Sequence, residues 1–347
     1  MKCKIIFLKP RGGFKTKLYS DTLWSTLCWG IRLLHGNDAL EKFINQYESL
    51  EASKEVFFIS SAFPYKVIDE KRVCYFPSPL KPIDESLDET GNFVEDKHSY
   101  RKRKTQKKAA KELQSYGNYL VTIGAKQESN ELKDTFICAP KLEEEAITHN
   151  TINRTTGSTL TVLSDTGEQA GQLFHVEELQ VVDKKGLDEG NVSETGLFFL
   201  AHGNTSYLEG VLRFLGHIGI GGDRSIGKGR FDISIHDFEL PEPDKPNVVT
   251  NLSLYRPTTQ EVGWMKQKTH RFFVNYDTIY RKGKGGFLRQ KPFEKQGLIL
   301  FKEGATFPIN SDFGENPIVW GTNTMVGQAD THSIWQYGYG FMVKMKI

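Results

Sequence analysis

Cysteine is scarce in this chain and none of it is paired: Cys3, Cys28, Cys74 and Cys138 stand alone, with no CxxC and no metal-ligand spacing. That argues against a thiolate zinc site and a disulfide framework, and leaves four small residues suited to a core. Long apolar runs are missing as well. The N-terminal MKCKIIFLKP offers only Ile5 to Leu8 before Lys9 and Pro10, shorter than a signal-peptide core or a membrane span. The chain is therefore expected to stay in the cytoplasm, with no membrane partner. Nor does one sign of charge dominate. With 45 Lys and Arg against 43 Asp and Glu, the net charge is +2, so any polyanion signal must come from where the charges sit.

What is present is enough for an ordinary globular protein. The 347 residues, 38% apolar and 25% charged, fit about two domains at the usual ~100 to 200 residues each. Lys2 to Leu8 reads as a strand, followed by the basic link KPRGGFKTK and then by SDTLWSTLCWGIRLLHG. In that last stretch Leu23, Leu27, Ile31 and Leu34 recur at helical spacing, Ser20 or Asp21 can cap the first turn, and Gly36 can close the last. A short helix from Asp38 to about Ser49 and a strand around Val56 to Ser60 follow. Further strands are expected near Val176 to Val182 and Leu197 to Leu200, then a helix presenting Leu208, Val211, Leu212 and Leu215, then a strand from Phe231 to Ile235.

That order predicts an α+β, ferredoxin-like (RRM-like) domain over 1–240, with insertions at about 77–117 and 148–160. The proline-rich LPEPDKPN, 240–247, marks the boundary. Beyond it, 248–347 is β-patterned and predicts a second, strand-rich domain. The first insertion carries eight Lys or Arg between Lys97 and Lys111 with no acid among them, which fits either a solvated basic face or a polyanion contact.

The most informative stretch is GHIGIGGDRSIGKGR, residues 216–230, with six glycines and four Lys, Arg or His. Gly222 to Gly229 nearly spells a phosphate loop, yet Gly229 stands where Ser or Thr would hold magnesium, and the stretch follows a helix and feeds a strand, the reverse of a nucleotide-binding loop. Two readings remain. The glycines either permit close helix-to-sheet packing, or they let backbone amides approach an extended phosphodiester while Arg224, Lys228 and Arg230 supply charge. Arg11, Lys15 and Lys17 around Phe14, His149, Asn150 and Arg154 in the Asn-rich THNTINRTTG, and Phe93 and Tyr100 near the basic insertion add cations and aromatic rings of the kind a single-stranded RNA site uses.

Taken together, SDTLWSTL, HNTINRTTG, LRFLGHIGIGGDRSIGKGRFDI and the pair FKEGATFPI and QYGYGF resemble the RAMP superfamily of CRISPR proteins. Within it they are most similar to the Cas-five-like subunits, subunit four, of type III-A Csm effector complexes. The resemblance implies two ferredoxin-like domains and a non-catalytic subunit that binds CRISPR RNA at its 5′ handle. It also implies docking to the large cyclase- and polymerase-like subunit and to the repeated backbone subunit, with neither cofactor nor metal. Carried onto this chain, it places the RNA cradle at Gly219, Gly221, Gly222, Arg224, Ser225, Gly227, Lys228 and Arg230, to which the basic link adds Arg11 and Lys15 as candidates. Ser20, Asp21 and Trp24 match the helix-one motif, and His149, Asn150 and Arg154 a protruding hairpin. The alternative from the same superfamily is a metal-independent endoribonuclease trimming precursor RNA with His35 as base, although His35 before Gly36 equally suits a helix C-terminus.

Overall fold

A computed structural model describes residues 1–47, 56–82, 101, 104–105, 112–127, 138–163, 169–183, 192–206, 208–267, 270, 272–283, 286–288, 291–293, 295–309, 320–328 and 333–347. Most of the basic insertion, including Phe93 and Tyr100, lies outside the described residues.

The chain opens with β1 (Lys2–Pro10), α1 (Ser20–His35) and α2 (Asn37–Asn45), then β2 (Phe57–Ile59), β3 (Phe63–Ile68) and β4 (Lys71–Pro77). After the insertion come β5 (Leu113–Ser115), α3 (Tyr116–Thr122) and a long hairpin of β6 (Lys141–Asn150) and β9 (Leu173–Val182), with β7 (Thr161–Leu163) and β8 (Gln169–Gly171) toward its tip. Next are β10 (Val192–Gly203), α4 (Leu208–Ile218) and β11 (Phe231–Glu239). The remainder holds β12 (Val248–Asn251), α5 (Thr259–Met265), β13 (Thr278–Arg281), β14 (Gly286–Leu288), β15 (Lys291–Phe293), β16 (Leu298–Phe301), β17 (Thr306–Pro308), β18 (Thr324–Gln328), β19 (Ser333–Gln336) and β20 (Met342–Met345).

The large sheet runs β11-β1-β10-β3-β4-β5, with β2 paired to β10. Its first four strands, with α1 and α4 as crossovers, follow the fourth-first-third-second order of a ferredoxin-like unit, and every pairing is antiparallel. α1 forms where the apolar spacing predicts it: Leu23, Leu27 and Ile31 are buried and Gly36, at φ 88°, closes it by donating to Arg32 O at 3.0 Å. Its N-cap is Tyr19, and neither Ser20 nor Asp21 caps it with a side chain. α2 ends at Asn45, short of the predicted span.

Gly30 is what lets α1 meet α4. A Cβ there would stand 2.5 Å from Val211 Cγ1, so the two helices pack closely above one core with Trp24, Leu27, Leu212 and Leu215. The opposite face of the sheet is also covered. Phe7, Tyr65, Phe76 and Phe198 lie under Tyr119 and Ile123 of α3 and under Phe341, Val343 and Met345, so the sheet surface on which RRM proteins stack bases is filled with protein.

In the C-terminal part, β17-β12-β20 form a three-stranded sheet, flanked by the β13/β16 and β18/β19 hairpins. The segment QYGYGF is a strap into the first core. Trp24 stacks on Tyr337 at 5.7 Å, Tyr337 Oη accepts from Ile59 N at 3.2 Å, and Tyr339 Oη donates to Tyr47 O at 2.8 Å. A Cβ on Gly338 would come within 2.5 Å of Thr322 O. The two parts of the chain thus share cores.

Candidate nucleic-acid interface

The basic link after β1, the base of the hairpin and the glycine-rich loop are knitted together. Phe14 and Leu179 exchange backbone hydrogen bonds at 3.1 and 2.7 Å, and Gly229 N donates to Gly13 O at 3.2 Å. Gly221 and Gly222 lie directly on Lys15 and Thr16: a Cβ on Gly222 would sit 3.3 Å from the Lys15 stem, and Gly222 N donates to Thr16 Oγ1 at 3.2 Å.

The loop folds around its own glycines. Gly219, Gly221, Gly227 and Gly229 all have positive φ, as does Asp223. A Cβ on Gly229 would lie 2.2 Å from Ile220 O, so the loop's two stems could not close with a larger residue. Gly216 meanwhile admits Phe231 O, which a Cβ would approach to 2.7 Å. Of the two readings of the glycines, close packing accounts for Gly216, Gly219 and Gly229.

Several of the loop's amides are engaged at home. Those of Gly219, Ile220, Ile226, Gly227 and Lys228 donate to Leu215, Gly229, Asp223, Arg224 and Asp223 carbonyls at 2.7 to 3.2 Å. The amides so engaged do not face a ligand, and the turn from Asp223 to Lys228 adds side-chain groups. Ser225 is exposed there and Arg224 half-buried; Arg230 beyond the turn is exposed, while Gly219 and Gly229 are buried.

This assembly forms one wall of a cleft of about 800 Å³. Lys15, Lys17, Gly221, Gly222 and Arg224 line that wall; the floor is the first three turns of α1, from Asp21 to Trp29; the opposite wall is Arg281, Lys282, Lys295 and Gln336. Asp21 ties the floor to this second wall. Its carboxylate, buried, accepts from Arg281 Nε at 2.9 Å, from Arg281 Nη2 at 3.1 Å and from Gln336 Nε2 at 3.0 Å. The expectation that Asp21 is a helix cap is thus replaced by a clamp between α1 and the C-terminal part.

Several cations expected to be available are engaged. Lys228 forms an ion pair with Glu178, which is 3% exposed, and Lys15 donates to Glu177 O at 2.9 Å. Lys17 lies 3.7 Å from Glu144. Arg11 donates through Nε to Asp232 at 2.8 Å, and that hydrogen bond holds the Asp232 carboxyl below its usual range. Arg224, Arg230 and Lys295 have no carboxylate partner among the described residues.

Ser20 and Trp24 face the interior. Ser20 Oγ accepts from Leu254 N at 2.9 Å, and Trp24 stacks as described, so both side chains hold the fold. His149, Asn150 and Arg154 sit toward the hairpin tip, and His149 is about 17 Å along β6 from the cleft residue Glu144 at ~3.3 Å per residue. The tip is tightly turned, with Asn153 Oδ1 accepting from Thr155 N at 2.9 Å, and His149 stacks on Phe174 at 5.4 Å. His35 is exposed at the far end of α1, about 20 Å from Asp21 at ~1.5 Å per residue.

Sequence reasoning missed the second wall and the rim. Trp29, 51% exposed, stands at the cleft mouth with the Arg32 guanidinium 5.1 Å from its ring centroid. An unburied Trp one turn beyond Ser25 was the available signal. Arg281, Lys282 and Lys295 gave none, since the hairpin carrying them is distant in sequence and reaches the cleft only through the fold.

No family model matches the chain. The protein described as "CRISPR system Cms protein Csm4" of Thermococcus onnurineus (strain NA1) is 25% identical to it over 322 residues, 89% of this chain and 96% of that one. Among solved structures, a chain of a Csm1-Csm4 cassette in complex with cA4 matches with a TM-score of 0.54 at 18% identity, covering 100% of this chain and 99% of that one. A chain of a Csm3-Csm4 subcomplex of the type III-A CRISPR-Cas interference complex matches with a TM-score of 0.51 at 14% identity, covering 99% and 100%. The chain shares the fold of these CRISPR cassette components along its whole length.

Proposed function

We propose that this protein is a non-catalytic RNA-binding subunit of a type III-A CRISPR ribonucleoprotein, a RAMP protein similar to Csm4 that acts in antiviral defence in the cytoplasm. It holds the 5′ handle of the CRISPR RNA and docks the large cyclase- and polymerase-like subunit and the repeated backbone subunit. What supports this is one observation: the cleft brings Lys15, Gly221, Gly222 and Arg224 together with the exposed Trp29, in a chain similar to a Csm4 along most of its length.

Cations at the cleft walls follow the phosphates of a single strand, and an exposed indole offers a base a stacking face. The protruding hairpin, with His149, Asn150 and Arg154 toward its tip, bends or displaces a base at the edge of the handle. The division at 240–247 separates two ferredoxin-like domains, 1–240 and 248–347. The order β20-β12-β17 supports the second, since it repeats the fourth-first-third strand order of the first.

The test is the affinity of the full chain for handle-bearing RNA over a range of salt. Arg224→Ala with Lys15→Ala weakens binding and flattens the salt slope by about 1.4, at ~0.7 per phosphate contact on a single strand. Unchanged affinity and slope would overturn the assignment of the cleft. Incubation with repeat RNA tests the absence of catalysis: site-specific cleavage lost in His35→Ala would make the protein a processing enzyme.

A further inference from the structure

The cleft does not end at its second wall. Lys282, Lys295 and Val326 also border a shallower depression of about 540 Å³ on the outer side of the β13/β16 and β18/β19 hairpins. Among the described residues its lining contains no Asp or Glu, whereas those lining the cleft include five acids, Asp21, Glu144, Glu177, Glu178 and Asp223. Electrostatically the depression is the better match to a phosphodiester.

Its surface is open, with Gln296 and Gln328 beside exposed apolar side chains. Tyr280 is 65% exposed; its register partner on β16, Ile299, and Met325 on β18 are exposed beside it. Alternation along β13 explains how one strand serves both places: Arg281 turns into the cleft to take Asp21, and Tyr280 turns outward. The tyrosine's pose depends on Gly297. A Cβ on Gly297 would stand 2.0 Å from Tyr280 Oη and 2.4 Å from Cζ, so only glycine lets the ring lie down across the backbone. Gly283 similarly receives the Lys295 stem, which a Cβ would approach to 2.7 Å.

We propose that the Tyr280 shelf is a nucleobase subsite, reached by a single RNA strand that leaves the cleft across Lys282 and Lys295. The inference rests on the RNA-binding reading of the cleft and extends it to a surface outside the glycine loop and α1. An exposed aromatic ring offers a stacking face that suits any base, so the subsite adds affinity with little sequence preference. An acidic peptide is the competing occupant, and the test separates the two.

The test uses the full chain and a fluorescent oligouridylate of roughly 4 to 16 nucleotides. Tyr280→Ala is expected to weaken binding roughly five- to hundred-fold with an unchanged salt slope, because stacking releases no counterion. Tyr280→Phe is expected to bind as wild type. Lys295→Ala is expected to flatten the slope by about 0.7, and Gly297→Ala to mimic Tyr280→Ala by displacing the ring. Photocrosslinking of 5-iodouridine RNA to Tyr280 in the unaltered chain supplies a readout that needs no variant to fold.

If Tyr280→Ala and Lys295→Ala bind as wild type while Arg224→Ala with Lys15→Ala does not, the shelf is no subsite and the cleft assignment stands. If the unaltered chain binds no RNA at low salt, both fall. Retained RNA affinity in Tyr280→Ala with lost capture of another complex subunit would make the shelf a protein contact and overturn the proposal.

Discussion

The two walls of the cleft carry similar numbers of cations but use them differently. On the glycine-loop side Lys228 faces Glu178, Lys17 faces Glu144, and Lys15 reaches a carbonyl. On the other side Arg281 is committed to Asp21, while Lys295 has no carboxylate partner among the described residues and borders a shelf without Asp or Glu among them. A cation-rich string in sequence is therefore a poor measure of positive surface. Its partners can lie far off along the chain, as Glu178 does for Lys228, and a paired lysine braces the fold where an unpaired one attracts a ligand.

The largest effect expected from breaking this arrangement is at the clamp. Asp21→Ala strands the half-buried Arg281 and unties α1 from the second wall, for a loss of about 3 to 5 kcal/mol measured by urea denaturation. Wild-type stability in that variant would mean the second wall is held to α1 by packing alone.

Next is an acid-side loss that should leave the cleft cations untouched. His202, wedged between Phe58 and Phe341 where the two parts of the chain meet, is held neutral by burial, its pKa lowered to about 4 from the ordinary 6.5. The unfolded chain takes up this proton near pH 6.5 and the folded chain does not. Stability from this group is therefore full above about pH 6.5 and falls as the pH drops toward 4, by up to about 3 kcal/mol. His202→Phe should remove that slope in pH-dependent denaturation.

Lys228→Ala sharpens the contrast between bracing and binding cations. It leaves the buried Glu178 without its counterion, costing about 2 kcal/mol of stability, yet it should reduce RNA affinity less than Arg224→Ala. The reverse ranking in a binding titration would show that Lys228 exchanges Glu178 for phosphate. The smallest effect is expected from Arg11→Ala. Its exposed pair with Asp232 at the sheet edge leaves stability within about 0.5 kcal/mol and RNA affinity unchanged.

Local patterns made the first half of the fold legible. The spacing of Leu23, Leu27 and Ile31, the stop at Gly36, the helix before the glycine loop and the strand after it all appear where periodicity puts them. Pairings over long distances were not legible. The strand order depends on β10 meeting β1 across nearly the whole first part of the chain, and the tyrosine strap at 337–339 reads as β pattern when it is in fact a wedge in the core beside Trp24. For the candidate site, the sequence pointed to Lys15, Gly221, Gly222 and Arg224. It missed Trp29 and the second wall, and it offered Ser20 and Trp24, whose motif is explained by the hydrogen bond to Leu254 and the stack on Tyr337. A buried motif and a ligand motif look alike until the fold decides which side faces out.

The most direct measurement is the crosslinking map of a 4-thiouridine-labelled guide RNA on the full chain. Adducts are predicted on the peptides holding Lys15 to Trp29, Gly221 to Arg224 and Tyr280 to Lys282. Adducts confined to other surfaces, with those three peptides unlabelled, would contradict the assignment of the cleft as the RNA site.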